Sequence, residues 1–306
     1  MDIQATIEEY LGAKQNSITQ STYDWYAFYL GKFSDFCTDR NLTDLTQITP
    51  NLVQQFVSSS ETNNTHTRHA RAQIVKGFLS WCALDDDLGV REKTVRRISM
   101  PKVEQSEVVI FSEDEIRRLF AACDKTQQPY RNRAILHLLL DTGCRAAEIC
   151  LDSNRRIEQT GLLQENLVLG RGEYYILVIG KGRKVRSVGL GDDTVQAMRR
   201  YLNRERGRSD SPYVFLSREG EPLSVRMLEQ LLEALGKLAH VEDVHPHRFR
   251  HTFAVRQLLN GTSSLVLMQL LGHTTLDATK IYTRSMTHIQ ARMAAPSVVD
   301  KMMHRR

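Results

Sequence analysis

The spacing of apolar residues constrains this chain more than any other feature. Almost everywhere they recur at steps of three and four, which stacks them on one face of a helix. Thr22, Tyr26, Leu30, Phe33 and Cys37 make one such face. Arg68, Arg71, Ile74, Val75, Phe78, Leu79 and Trp81 lie along another helix, opened by Asn64 or Thr65. The exception is EYYILVIGKGRKVRSVGL, where two β-prone runs flank Gly180-Lys181-Gly182. Apolar β-branched runs around a glycine-rich turn signal a hairpin. The expected fold is therefore mainly α, with one small antiparallel sheet.

Local signals place the helix ends. Thr49-Pro50 reads as an N-cap followed by proline at the first helical position. DDDLG ends the N-terminal helical pattern, which covers residues 17–99. The polar stretch MPKVEQSE follows, and its Pro101 disfavours helix at the residue before it. FSEDEI then restarts sharply, with Ser112 and Glu115 as a capping box and Phe111 and Ile116 at staple positions. Two domains result, residues 1–103 and 104–306. The second has helix candidates at 113–123, 129–141, 146–151, 192–204, 224–239, 248–259, 264–271 and 276–283.

Composition narrows the class. A chain of 306 residues that is 41% hydrophobic can bury a core in each of two domains. It has no apolar run of the roughly 18 residues a membrane helix needs, and no secretory signal is expected in MDIQATIEEYLGAKQ. Cys37, Cys82, Cys123, Cys144 and Cys150 are scattered without a C-x-x-C pair. That suits free thiols in a reducing cytosol. Residues 1–103 hold 11 Lys and Arg against 12 Asp and Glu, and the remainder holds 30 against 24, so the excess positive charge lies in the second domain. This charge permits an anionic partner without specifying one.

Five separated sites carry chemistry: Arg145, Lys181, His247 with Arg250, His273, and Tyr282. Each alone has a plain structural reading. Arg145 opens a surface helix and pairs with Glu148 at i+3. Lys181 is a solvated turn lysine. His273 follows Gly272, which suits the left-handed end of a helix. Tyr282 is one of ten tyrosines. His245, His247 and His251 cluster, but without carboxylate or cysteine ligands at a metal-binding spacing, so no metal is expected. Together the five fit a metal-free centre for cutting a phosphodiester. Such a centre needs fixed cations where phosphoryl charge develops, a nucleophile, a proton acceptor and a general acid. Two forked, permanently charged guanidiniums suit the first task.

In order and context these residues resemble the tyrosine recombinase (phage-type integrase) family. DTGCRAAEIC is similar to its first-arginine motif, IGKGRKVRSVGL to its lysine-bearing hairpin, HPHRFRHTFAV to its H-x-x-R helix, and LLGHTTLDATKIYTR to its closing His and Tyr motif. TYDWYAFYLGKF and the PK-containing linker look like the family's helical, SAM-like core-binding domain. The resemblance covers almost the whole chain. LDSNRRIEQTGLLQENLVLGRGEYY is longer than usual, with Arg155 and Arg156 in the extra part, and no space is left for an N-terminal arm-binding domain, as in the simpler Xer-like members.

The resemblance implies a two-domain, C-shaped clamp in which a core-binding domain joins a mixed α/β catalytic domain. It implies that Tyr282 attacks the scissile phosphate and forms a 3′-phosphotyrosyl link. Arg145 and Arg250 hold the non-bridging oxygens, His273 adds a donor, Lys181 protonates the leaving 5′-oxygen, His247 takes the tyrosine proton and Glu148 fixes Arg145. Arg68, Arg71, Lys76, Arg183 and Lys184 are expected at DNA. No cofactor and no metal are implied. The implied partner is double-stranded DNA with paired sites, bound by a tetramer that is monomeric when free. Ala294, Ala295, Val298, Val299 and Met302 form the tail that would dock on a neighbour. A cytoplasmic, nucleoid-associated location is implied, with no membrane. A type IB topoisomerase-like enzyme, a non-catalytic DNA-binding protein and a histidine-metal nuclease are the competing readings.

Overall fold

A computed structural model describes residues 1–59, 64–103, 108–153, 160–170, 172–180 and 184–294, with side chains described to residue 291. The expectations for Lys181, Arg183, Arg155, Arg156 and the tail from Ala294 onward fall outside these descriptions. The chain forms two compact units, Met1–Gln105 and Ser106–Arg306. The expected boundary at residues 103 and 104 adjoins the undescribed residues 104–107.

The first unit is built from α1 (Ile3–Lys14), α2 (Gln20–Thr38), α3 (Pro50–Ser58), α4 (Thr65–Cys82) and the short α5 (Glu92–Arg96). Their starts follow from side-chain acceptors for the first orphan N–H groups. Thr49 accepts from the Leu52 amide and Asn64 from the His66 amide. Leu30, Phe33 and Cys37 of α2 are fully buried against Val53 and Phe56 of α3 and Val75, Phe78 and Leu79 of α4. Helix α1 went unread in the sequence, although Ile3, Ile7, Tyr10 and Leu11 repeat at helical spacing and all are buried. Asp2 caps it through the Ala5 amide at 2.8 Å.

The second unit contains α6 (Glu113–Cys123), α7 (Pro129–Thr142), α8 (Ala146–Ile149), a three-stranded sheet, α9 (Asp192–Tyr201), α10 (Val225–Ala239), α11 (Pro246–Leu259), α12 (Ser264–Leu271) and α13 (Asp277–Ala294). Strands β1 (Leu167–Leu169), β2 (Tyr174–Ile179) and β3 (Val185–Gly189) are antiparallel in the order β1-β2-β3. Ile179 pairs with Val185, and the Gly180 amide donates to the Lys184 carbonyl at 2.8 Å, so the two strands pair as far as the residues on either side of the expected turn. Strand β1 was not anticipated: three residues are too few for a period-2 signal.

The Ser112–Glu115 capping box forms as expected, and Phe111 is fully buried. Helix α13 extends well past the expected residue 283. Its Met286 and Ile289 pack with Val108 and Ile110, and Ser285 Oγ accepts from the Val108 amide. Among the described residues no helix is long and apolar enough to cross a membrane.

Two apolar clusters flank α11 and fix its position. On one side the Phe249 ring lies tilted against Phe111, at 4.7 Å between centroids, within the main core. On the other, Phe253, Ala254, Val255 and Leu258 join Leu267, Leu271 and Tyr282 in a smaller cluster. Arg248 locks the start of the helix by bonding Glu115 at 2.8 Å and lying over the Phe111 ring.

Candidate active site

The C-terminal end of α12 organises the site. The last carbonyls of a helix have no partner inside it, and the helix dipole makes that end negative. Here three arginines satisfy them. Arg186 Nε donates to Leu270 O at 2.7 Å, and Arg250 Nη2 and Arg145 Nη1 donate to Leu271 O at 2.7 and 3.4 Å. Gly272 then ends the helix in the left-handed conformation, at φ 63°. A Cβ there would meet Arg186 Nη1 at 3.0 Å, so glycine also makes room for the arginine.

Each arginine comes from a different element. Arg145 is the N-cap residue of α8, Arg186 lies in β3 and Arg250 in α11. Glu148 ties the first two together. Its carboxylate accepts from the Arg145 amide at 2.7 Å, from Arg145 Nη1 at 3.1 Å and from Arg186 Nη1 and Nη2 at 2.8 Å each. Burial pushes its pKa up, but the hydrogen bonds and charge of Arg186, with Arg145, outweigh this and hold Glu148 below the ordinary value. Arg250 is buried, with Nη1 on Gly143 O at 2.7 Å. Burial and then the charge of Arg145 push it down to about 10, so it stays cationic at neutral pH. Three guanidiniums thus face one carboxylate, an imbalance an anion would relieve.

His273 follows the Gly272 cap. Its Nε2 lies 3.0 Å from Arg250 Nη2 and its Nδ1 2.9 Å from Thr279 Oγ1. A guanidinium only donates, so Nε2 accepts and the proton sits on Nδ1, facing Thr279. Burial, then Arg250 and Arg145, push His273 down to about 4, which keeps it neutral.

Tyr282, on α13, is only 4% exposed, and its ring stacks on His273 at 6.2 Å and 10°. Burial raises its phenol above the ordinary value, while the charge and hydrogen bond of Arg250 pull the other way. The imidazole bonded to the phenol is that of His251, with Nδ1 at 3.3 Å from Oη, rather than that of His247. His247 is exposed, and desolvation of its ring, then Arg250, His245 and Arg145, lower its pKa. His245 caps α11 by accepting from the Arg248 amide at 3.3 Å. Among the described residues no group of three His, Cys, Asp or Glu is arranged to hold a metal ion.

A cavity of about 350 Å³ opens beside these groups, lined by Arg145, Glu148, Gly180, Lys184, Arg186 and His273. Gly180 and Lys184 flank the turn that contains Lys181 in the sequence. Sequence reasoning missed Arg186 and the phenol partner His251. Arg186 sits two residues beyond Lys184 in a strand, with no spacing to Glu148 that a pattern could reveal.

In the first unit, Lys76 Nζ donates to Ile98 O at 3.0 Å, and Arg71 Nη1 reaches Phe56 O at 3.4 Å while its guanidinium lies over the Phe56 ring. Arg68, Arg71 and Lys76 are half-buried. Lys76 and Arg71 are thus engaged in holding α4 to its surroundings.

A mainly helical fold with a small antiparallel sheet, and a three-arginine centre beside a tyrosine, define a class that sequence comparison also reaches. The chain belongs to the phage integrase family, whose model matches residues 110–288, and it is a tyrosine recombinase, an enzyme that cleaves and rejoins DNA. Among its relatives is the tyrosine recombinase XerD of Staphylococcus haemolyticus, 27% identical over 92% of this chain and 94% of the relative. The fold is shared with XerH site-specific recombinase in a post-cleavage complex with its difH substrate, at TM-score 0.70 and 21% identity, covering 89% of this chain and 79% of that one. It is shared too with the Tn1549 transposon integrase bound to transposon right end DNA, at TM-score 0.72 and 15% identity, covering 96% and 100%.

Proposed function

We propose that this recombinase exchanges strands between paired DNA sites with Tyr282 as its nucleophile. The observation that carries the assignment is the Tyr282 ring stacked on His273, whose Nε2 lies 3.0 Å from Arg250 Nη2, all on the same chain. In this reading Arg145 and Arg250 bind the non-bridging oxygens of the scissile phosphate and stabilise the charge that builds there. Tyr282 Oη attacks phosphorus, and the bond from phosphorus to the 5′-oxygen breaks. A 3′-phosphotyrosyl link forms, and the departing oxygen takes a proton from Lys181. A 5′-hydroxyl from the partner duplex then reverses the step. The ester energy is kept in the protein–DNA link, so no ATP is consumed.

His273 first acts on Arg250, since its Nε2 accepts from that guanidinium. It becomes a donor to phosphate only when Nε2 carries a proton. His247, exposed beside the arginines, is available to the phosphate. Lys184 and Arg183 meet the DNA backbone, and Arg68, Arg71 and Lys76 contribute from the first unit. The working assembly is a homotetramer on two sites, formed from monomers.

The test is Tyr282→Phe. That variant should bind the duplex as the parent does yet never migrate as a covalent protein–DNA band on a denaturing gel. A shifted band from the phenylalanine variant refutes the assignment.

A further inference from the structure

The geometry points to His251 as the group that takes the Tyr282 proton during strand cleavage. This rests on the reading of Tyr282 as nucleophile and names the acceptor that reading leaves open between two histidines. His247, Arg250 and His251 lie three and four residues apart on α11, so all three crowd one side of the helix. Spacing alone therefore does not choose between the two imidazoles. Only His251 among the described residues has its ring bonded to the phenol, with Nδ1 at 3.3 Å from Oη and ring centroids 5.6 Å apart.

The pair has one productive sense. Oη and Nδ1 can each donate or accept, and the phenol loses its proton to the ring only where Oη donates and Nδ1 accepts. The charge of Arg250 favours that loss, since it pulls the phenol down against the effect of burial. The imidazole proton then sits on Nε2, and Nδ1 presents a lone pair to the atom that must lose its proton. When Oη bonds to phosphorus, the phenolic proton passes to Nδ1 and the electron pair of the phosphorus–O5′ bond leaves with the 5′-oxygen, which Lys181 protonates. In the reverse step the imidazolium returns its proton to Oη as the phosphotyrosyl bond breaks.

In the free protein His251 is a weak base, pushed down to about 4 by burial and then by His247, His245 and Arg250. A phosphodiester seated on Arg145 and Arg250 brings a negative charge that offsets this cationic field. The substrate itself thus raises the basicity of His251.

The test uses the full chain and a nicked duplex carrying an attachment site recovered by covalent capture of the parent protein on genomic fragments. Failure to capture any site would defeat the nucleophile assignment itself, separately from the role of His251. The rate of covalent complex formation is then measured for the parent, His251→Ala, His251→Asn and His247→Ala. Each is made with tyrosine or with a ring-fluorinated, more acidic tyrosine at position 282. His251→Ala is expected to slow cleavage about 100-fold or more, within the usual range for proton transfer by a positioned side chain. DNA binding should be retained. His251→Asn keeps a hydrogen-bonding group near Nδ1 but no base, so it should be equally slow, and it carries the comparison if the alanine variant fails to fold. Fluorination should recover most of the rate in the His251 variants and little in His247→Ala. Parent-like rates in either His251 variant, a loss that fluorination leaves intact, or recovery confined to His247→Ala would each overturn the proposal.

Discussion

Replacing Glu148 with alanine removes the acceptor of four hydrogen bonds at once. The larger consequence falls on Arg186, whose side chain is only 12% exposed and whose charge would lose its counterion. Breaking a buried ion pair by deleting one partner costs about 3–5 kcal/mol, because the remaining charge stays desolvated. In a unit of roughly 200 residues each kcal/mol lowers the melting temperature by about 2–4 °C, so a fall of about 6–20 °C is expected. Gln at this position should do little better. It offers one acceptor oxygen, and its amide N–H groups would face guanidinium donors. Cleavage should also fall by about 10²–10³-fold, the usual effect of losing one charge-stabilising donor, since Arg145 loses its anchor. Calorimetry and covalent-complex formation read the two effects separately. The double change Glu148→Met with Arg186→Met should regain most of the stability, as paired apolar replacements do, but not the cleavage rate. A loss below about 1 kcal/mol in Glu148→Ala, or a double variant no more stable than the single, would refute this account of the pair.

Three further outcomes are expected. Gly143→Ala should lower the melting temperature sharply, because Gly143 sits at φ 59° and a Cβ would overlap the Phe253 ring; an unchanged melt would show that α11 can yield there. Stability should decline as pH falls from about 6.5 towards 4. His251 and His273 are each pushed down to about 4 in the folded state, so the unfolded chain binds more protons across that window. Urea melts of His273→Asn should show a weaker decline there, and an identical slope would contradict the assignment. Lys181→Ala should cleave slowly on ordinary DNA but recover on a substrate with a 5′-thio leaving group, which needs little protonation; no recovery would remove Lys181 from the general-acid role.

Much of the fold was legible because its signals are local. A capping box at Ser112, a proline at the first position of α3, a glycine after LLG and the i, i+3, i+4 face of α2 each involve a few neighbouring residues. Helix α1 was legible too, through the helical spacing of Ile3, Ile7, Tyr10 and Leu11, in a stretch weighed only for a secretory signal and expected to hold none. The order of Arg145, Lys181, His247, Arg250, His273 and Tyr282 along the chain likewise carried the resemblance to the family.

The sequence by itself determined which charged and nucleophilic groups the chain owns and which helix or turn each one rides on. The tertiary structure decided which of them meet. Arg186 reaches Glu148 across 38 residues, and three arginines converge on the last carbonyls of α12 from three elements. His247 and His251 lie one turn apart on one helix, so no periodicity separates them. The packing of α13 on α11 and α12 through Phe253, Val255, Leu267 and Tyr282 brings the phenol to His251. Helical spacing acts over one turn, whereas the partner of a side chain is set by how distant elements bury their apolar faces together.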